Sequence, residues 1–246
     1  MRPDDSTGAL LWLPICGSTN DEARDRLDDL SVLAVGSEEQ TSGRGRRGRA
    51  WHSPAGGGLY LTCIVRERVA PRAAGVLPLL AGVVVARLCE RWTTGRARPR
   101  LKWPNDVLLV GDGAGNGKVA GILCESRIEG GRLTALLGIG LNLRAPPGGF
   151  PEGVPGAALE TSLDARTAAG HLVTELSLAL DSLPPPTGDP FPGVIAAWLP
   201  MGPTPGTPMR VGDRAGRFAG LSPEGALLLD TDLGCERFDA GEVFEG

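Results

Sequence analysis

Residues 43–51 read Gly43-Arg44-Gly45-Arg46-Arg47-Gly48-Arg49-Ala50-Trp51. Four arginines are interleaved with three glycines, and the run stops at a tryptophan. Each guanidinium presents a planar fork that suits phosphate or carboxylate oxygens. The glycines disfavour helix and let the backbone approach a ligand closely. Crowding so many like charges together is unfavourable until an anion neutralises them. The segment is therefore expected to be mobile alone and ordered around a negatively charged group.

Other segments supply complementary chemistry. Lys118 follows the glycine-rich turn Gly111–Gly117 and precedes an apolar strand. A lysine fixed there can hold its charge against a carboxylate or phosphate; an exposed strand-edge lysine is the plain alternative. Ser18, Thr19, Asn20 and Gln40 offer neutral donors and acceptors suited to a dry pocket, and Ser18–Asn20 also reads as a helix cap. Gly121 leaves room for a ligand or marks a bulge. Trp51 packs on a ligand ring or anchors the core. The turn Gly111–Gly117 lacks the GxxxxGK[ST] ending of a phosphate loop, because Val119 follows Lys118. His52 has no nucleophile motif beside it.

The positioning elements form an α+β pattern. Strands are expected at Leu10–Leu13, Val32–Val35, Leu59–Val65, Leu101–Trp103, Val107–Val110, Val119–Glu125 and Leu133–Leu143. Helices are expected from Asp21 to about Leu30, over 72–92 with apolar spacing at Val76, Leu77, Leu80, Val83, Val84 and Leu88, over Ser162–Leu183, and over Phe191–Leu199. No regular βαβ repeat is present, which favours mixed layers over a parallel sheet. Pro146–Pro155 is irregular, and Pro200–Pro208 reads as a stiff linker. Beyond it lie short strands at Arg210–Val211, Arg217–Leu221, Ala226–Asp230 and Cys235–Asp239, a small barrel that leans on its neighbour.

Composition narrows the classes. The chain has 246 residues, 41% of them hydrophobic, and a net charge of −4, with a pI near 5.3. That balance disfavours a general nucleic-acid binder; eight acids against four arginines after Met209 carry the whole excess. Five cysteines without a CxxC pair suit reduced thiols in a cytoplasm, and two histidines do not make a zinc site. The N-terminus lacks a signal pattern, and no apolar run spans a bilayer.

At Ser18-Thr19-Asn20, Gln40, the arginine run, Lys102-Trp103-Pro104-Asn105-Asp106, Lys118-Val119-Ala120-Gly121-Ile122-Leu123 and Gly138-Ile139-Gly140-Leu141-Asn142, the chain resembles biotin–protein ligases. The match is collinear from about residue 10 to 200, and the combination is specific where a single motif would not be. The resemblance implies a mixed sheet with helices like that of class II aminoacyl-tRNA synthetases, spanning 1–202, and a small C-terminal SH3-like β-barrel spanning 207–246. It implies an ATP-dependent, AMP-forming ligase: biotin and ATP give biotinyl-5′-adenylate and pyrophosphate, and biotin passes to a lysine of a biotin carboxyl carrier domain of an acyl-CoA carboxylase. Mg²⁺ would accompany ATP without a protein cage, since it keeps several waters.

By matching position, Arg46 and Lys118 are the catalytic pair. Biotin would be met by Ser18, Thr19, Asn20, Gln40, Arg44, Gly45, Arg46, Lys118 and Gly121. ATP and adenylate would be met by Arg46, Arg49, Trp51, Lys102, Asn105 and Asn142. Arg47 and Arg49 would add field and loop closure. Asp106 holds a water of the magnesium shell, orients the incoming amine, or is a plain turn aspartate. Many relatives carry an N-terminal helix-turn-helix domain; here the motifs begin within twenty residues of Met1, so operator binding is not expected. The expected partners are biotin, ATP and the carrier, with neither nucleic acid nor membrane. The family holds monomers and dimers built by sheet extension, so a homodimer stays open. The near alternative is a lipoate ligase of the same fold family, against which Gln40 and the full arginine run weigh. The distant one is a nucleic-acid module using that run.

Overall fold

The computed structural model describes residues 10–93, 97–111, 116–146, 148–151 and 155–245. The chain enters through β1 (Leu10–Leu13) and α1 (Thr19–Arg24), then β2 (Ala34–Ser37) pairs with β1 in parallel register, Leu10 beside Ala34. α1 ends at Arg24, well short of Leu30. Asp25, Asp28 and Asp29 follow, and carboxylates oppose the dipole at a helix C-terminus. The chain continues there as turns, with Arg26 N donating to Ala23 O and Asp29 N to Arg26 O. β2 lies two residues later than the apolar pattern indicated. Val32 instead packs with Leu27 against Ala23 and Val35, and its carbonyl accepts from Arg66.

β3 (Gly58–Arg66), α2 (Val76–Trp92), β4 (Ala97–Lys102) and β5 (Asp106–Gly111) follow. The long hairpin β6 (Gly117–Glu129) and β7 (Arg132–Asn142) turns at Gly130-Gly131. α3 (Ala165–Asp181) starts later than Ser162 because Asp164 caps it, its Oδ1 accepting from Thr167 N at 2.9 Å. α4 (Phe191–Trp198) ends in a 3₁₀ turn over Leu199–Met201. Positions 112–115 of the glycine turn, and 147 and 152–154 of the irregular stretch, lie outside the described residues. Among the described residues no helix is long and apolar enough to cross a membrane.

Among the described residues seven strands form one sheet in the order β1-β2-β3-β7-β6-β5-β4, all neighbours but β1 and β2 antiparallel. Strand alternation sorts its two faces. Leu59, Leu61, Cys63 and Val65 of β3, with Leu137, Ile139 and Leu141 of β7, join α2, α3 and α4 in the main core. The intervening positions, Tyr60, Thr62 and Ile64 with Leu136, Gly138 and Gly140, form the opposite face, and α1 packs there through Ala23.

A second, five-stranded antiparallel sheet runs from β8 (Pro208–Val211) through β9 (Arg214–Leu221), β10 (Leu227–Thr231) and β11 (Gly234–Phe238) to β12 (Val243–Glu245). Its order is β11-β10-β9-β8-β12. β12 escapes the sequence pattern because three residues ending on an acid give no periodicity. The expected linker is pinned rather than free: Gly202 and Pro203 are buried, and Gly202 O accepts from Arg100. Met209, Val211, Phe218, Leu227, Leu229 and Val243 belong to the same core as α2 and the large sheet. Trp103 Nε1 donates to Gly225 O at 3.0 Å across the junction.

Trp198 is 1% exposed, and its ring centroid lies 6.5 Å from that of Phe218. Trp198→Ala is expected to lower unfolding free energy by about 3–5 kcal/mol. Urea titration should show both sheets lost in one transition; a separate melt of residues 208–245 would contradict the shared core.

Candidate active site

The site is built on the face of the large sheet opposite α2. Gly138 and Gly140 of β7 alternate with Ile139, so both present bare backbone to that face, and Gly121 of β6 pairs with Gly140. A Cβ on Gly138 would strike the Asn20 side-chain amide, and one on Gly140 the Trp51 indole. The trough exists because side chains are missing from it.

A neutral hydrogen-bond network fills its floor. Thr62 Oγ1, fully buried, lies 2.6 Å from Asn20 Oδ1 and 2.8 Å from Thr19 Oγ1. Gln40 Oε1 accepts from Thr19 N at 2.8 Å and Thr19 Oγ1 at 3.1 Å, while its Nε2 donates to Ser53 Oγ at 2.9 Å. Asn20 Nδ2 donates to Glu125 Oε2 at 2.6 Å. Ser18 is the N-cap of α1 by backbone geometry, but its side chain makes no capping bond. Ser18 thus caps α1 through its backbone, its carbonyl accepting from Asp21 N and Glu22 N, while Thr19 and Asn20 enter the network.

The arginine run is a short hairpin. Trp51 N donates to Gly43 O at 2.9 Å and Gly45 N to Arg49 O at 2.7 Å, with Arg47 and Gly48 at the tip in left-handed conformation, φ 57° and 73°. Its base is stitched to the start of α1 by Thr41 N to Cys16 O and Ser42 N to Gly17 O. Three of the four guanidinia take partners on different elements. Arg44 forms a bidentate pair with Asp21 at 2.8 and 2.7 Å, and Arg44's hydrogen bonds, ahead of those from Arg24, hold the Asp21 carboxyl below its usual range. Arg46 turns inward and donates to Asn105 Oδ1 at 2.8 Å. Burial, then the like charge of Arg47, pushes its guanidinium below the ordinary value. Arg49 reaches out to Glu242.

Lys118 Nζ stands 2.7 Å from Asp106 Oδ1, a charge contact, and 5.2 Å from the Trp51 ring centroid. Asn105, in the turn between β4 and β5, also donates from Nδ2 to Ile122 O at 2.9 Å, which locks its oxygen toward Arg46. Trp51 Nε1 is buried and has no hydrogen-bond partner among the described residues.

One cleft therefore brings together Ser18, Thr19, Asn20, Gln40, Arg44, Gly45, Arg46, Trp51, Asn105, Lys118 and Gly121. Three expected residues do not line it. Arg49 is exposed and paired with Glu242. Lys102 Nζ sits 5.7 Å over the Phe244 ring. Asn142 donates to Ala157 O and Lys118 O, tying β7 to β6 and the following segment. Sequence reasoning missed Thr62, Ser53, Asp21 and Glu125. Thr62 had a signal: it is the one aliphatic hydroxyl in an apolar strand, in step with Tyr60 and out of step with the core positions.

Residues 18–142 match the model of the biotin/lipoate A/B protein ligase family. The biotin–[acetyl-CoA-carboxylase] ligase of Paracoccus denitrificans is 38% identical, the match covering 93% of this chain and 97% of that protein. The bifunctional ligase/repressor BirA of Escherichia coli K12 is 32% identical, covering 96% and 74%. The solved structure of the Aquifex aeolicus biotin protein ligase in complex with biotin and ATP superposes with a TM-score of 0.74 at 26% identity, covering 97% and 99%.

Gly140→Ala is expected to expel the Trp51 indole from the trough. Tryptophan emission should shift relative to the unsubstituted chain, and the shift should vanish in a Trp51→Phe background. An unchanged spectrum would mean that the indole does not depend on the bare backbone.

Proposed function

The chain belongs to the biotin/lipoate A/B protein ligase family, and we propose that the cleft described above runs its two half-reactions: activation of biotin by ATP to biotinyl-5′-adenylate, then transfer of the biotinyl group to a lysine of a biotin carboxyl carrier domain. The observation that carries this reading is the placing of two cations, Arg46 and Lys118, beside a floor of neutral donors and acceptors. A ureido ring needs fixed, uncharged partners in a dry site, and Thr19, Asn20 and Gln40 are of that kind. Attack of a carboxylate on the α-phosphorus gathers negative charge between two anions, which preorganised cations stabilise. Lys118 and Arg46 take that role. Each has its head group held by a neighbour, Asp106 for the lysine and Asn105 for the arginine. Arg44, which also lines the cleft, braces the loop base through the Asp21 carboxylate.

Magnesium fits this donor set only as the nucleotide's companion. Such an ion would be held chiefly by phosphate oxygens and water, with Asn105 and Asp106 the side chains that would hold it. Once bound, the ion supplies charge neutralisation for the leaving pyrophosphate. Residues 207–246 are read as the SH3-like barrel and 1–202 as the catalytic domain; the separate five-stranded antiparallel sheet supports that division.

The reading is tested by biotin-dependent ATP–pyrophosphate exchange and by the mass shift of an apo carrier domain. Exchange driven by lipoate alone would assign the other branch of the family. Lys118→Ala should depress exchange by about a hundred- to a thousandfold, the scale of losing one transition-state charge partner, with the melting temperature held; near-normal exchange would remove Lys118 from the chemistry. Arg46→Gly should release the adenylate faster and biotinylate stray lysines, because the inward arginine helps exclude water and foreign amines. Unchanged adenylate retention would count against that role.

A further inference from the structure

Lys102 and Arg49, two of the three nucleotide candidates that do not line the cleft, meet the same short stretch near the C-terminus. Arg49 Nη1 and Nη2 donate to Glu242 Oε1 and Oε2 at 2.7 and 2.6 Å, a pairing across 193 positions of sequence. Lys102 Nζ lies over Phe244, two residues further on. The Glu242 carboxyl is held below its usual range by Arg49 first, then by Arg47 and Lys102. Arg49 thus grips one carboxylate in the turn before β12, and the charges of Arg47 and Lys102 also act on it.

We propose that Glu242 is a resident counter-anion for the nucleotide's polyphosphate, filling the Arg49 fork among Arg47 and Lys102 and ceding these cations when ATP arrives. The inference rests on the ligase reading above. A guanidinium edge that grips a carboxylate in bidentate fashion cannot grip a phosphate with the same two N–H groups. Two effects of Glu242 therefore oppose each other: it orients Arg49 in advance, and it repels the incoming phosphates. The pair is exposed on the Arg49 side, 66% against 33% for Glu242, and orientation by such pairs is worth little. Repulsion between one carboxylate and a multiply charged triphosphate in the same cluster is the larger effect. Glu242 is accordingly a positioning residue that raises the threshold for nucleotide entry and ties the small sheet to the arginine hairpin until the phosphates take over.

Glu242→Gln tests this in the full-length chain. The KM for ATP in biotin-dependent exchange should fall about three- to tenfold at low salt, with the KM for biotin unmoved and the difference shrinking as salt screens it. Glu242→Asp, which keeps the charge, should stay near wild type, and the glutamine effect should shrink in an Arg49→Gln background. Inorganic tripolyphosphate, titrated by calorimetry without biotin, should bind the Glu242→Gln variant more tightly. An ATP KM that is unchanged or raised, or tripolyphosphate affinity that does not improve, overturns the proposal. A wild-type chain without biotin-dependent exchange fails the ligase reading instead, and the tripolyphosphate titration still decides the role of Glu242.

Discussion

The close approach of Asn20 and Trp51 to the bare backbone of β7 is the contact on which the rest of the site depends. Glycine at 138 and 140 removes two side chains from one face of a central strand, and that face alone carries the trough. Asn20 drops into it far enough to reach both Thr62 and Glu125, which draws α1 onto the sheet. Trp51 lies flat against it, which ends the arginine hairpin at a fixed place and sets Lys118 beside the indole. A sheet packed by side chains on both faces would have had nowhere to hold either residue.

Electrostatics then sorts the hairpin's charges. Arg44 and Arg49, one near each end of the run, are matched to acids on different elements, Asp21 on α1 and Glu242 on the small sheet. Surface pairs of this kind add little to stability; their effect is placement. With both ends spoken for, the inward guanidinium is Arg46, and its partner is the neutral Asn105 rather than a carboxylate. The half-buried Arg46, bonded to an amide, keeps its positive field, whereas Arg44 and Arg49 are locally neutralised.

Much of this was legible in the chain, and the reason is local. Motifs such as Ser18-Thr19-Asn20, the arginine run and Lys118 have their chemistry in contiguous residues, and the cleft gathers them. The mixed sheet was legible because its strands carry strong apolar runs. What escaped depends on pairing across the sequence. Asp21 and Glu125 look like ordinary surface acids until the fold brings them to Arg44 and Asn20. The same holds for Arg49 and Lys102: no local pattern announces that a three-residue strand near the C-terminus stands against them. α1 stops short of Leu30 because its start is marked by contiguous cap and acid residues, whereas its end is set by three aspartates whose charge opposes helix continuation.

Arg47 carries a side chain at φ 57° beside Gly48 at 73°, a backbone state that glycine adopts freely and other residues uncommonly. A glycine at 47 would suit the turn better and surrender a guanidinium. The chain keeps the charge and accepts local frustration, so backbone preference and field disagree at this one residue. The turn is consequently a shallower energy minimum than its hydrogen bonds imply, and it is the natural first point of opening in a segment otherwise anchored at both ends.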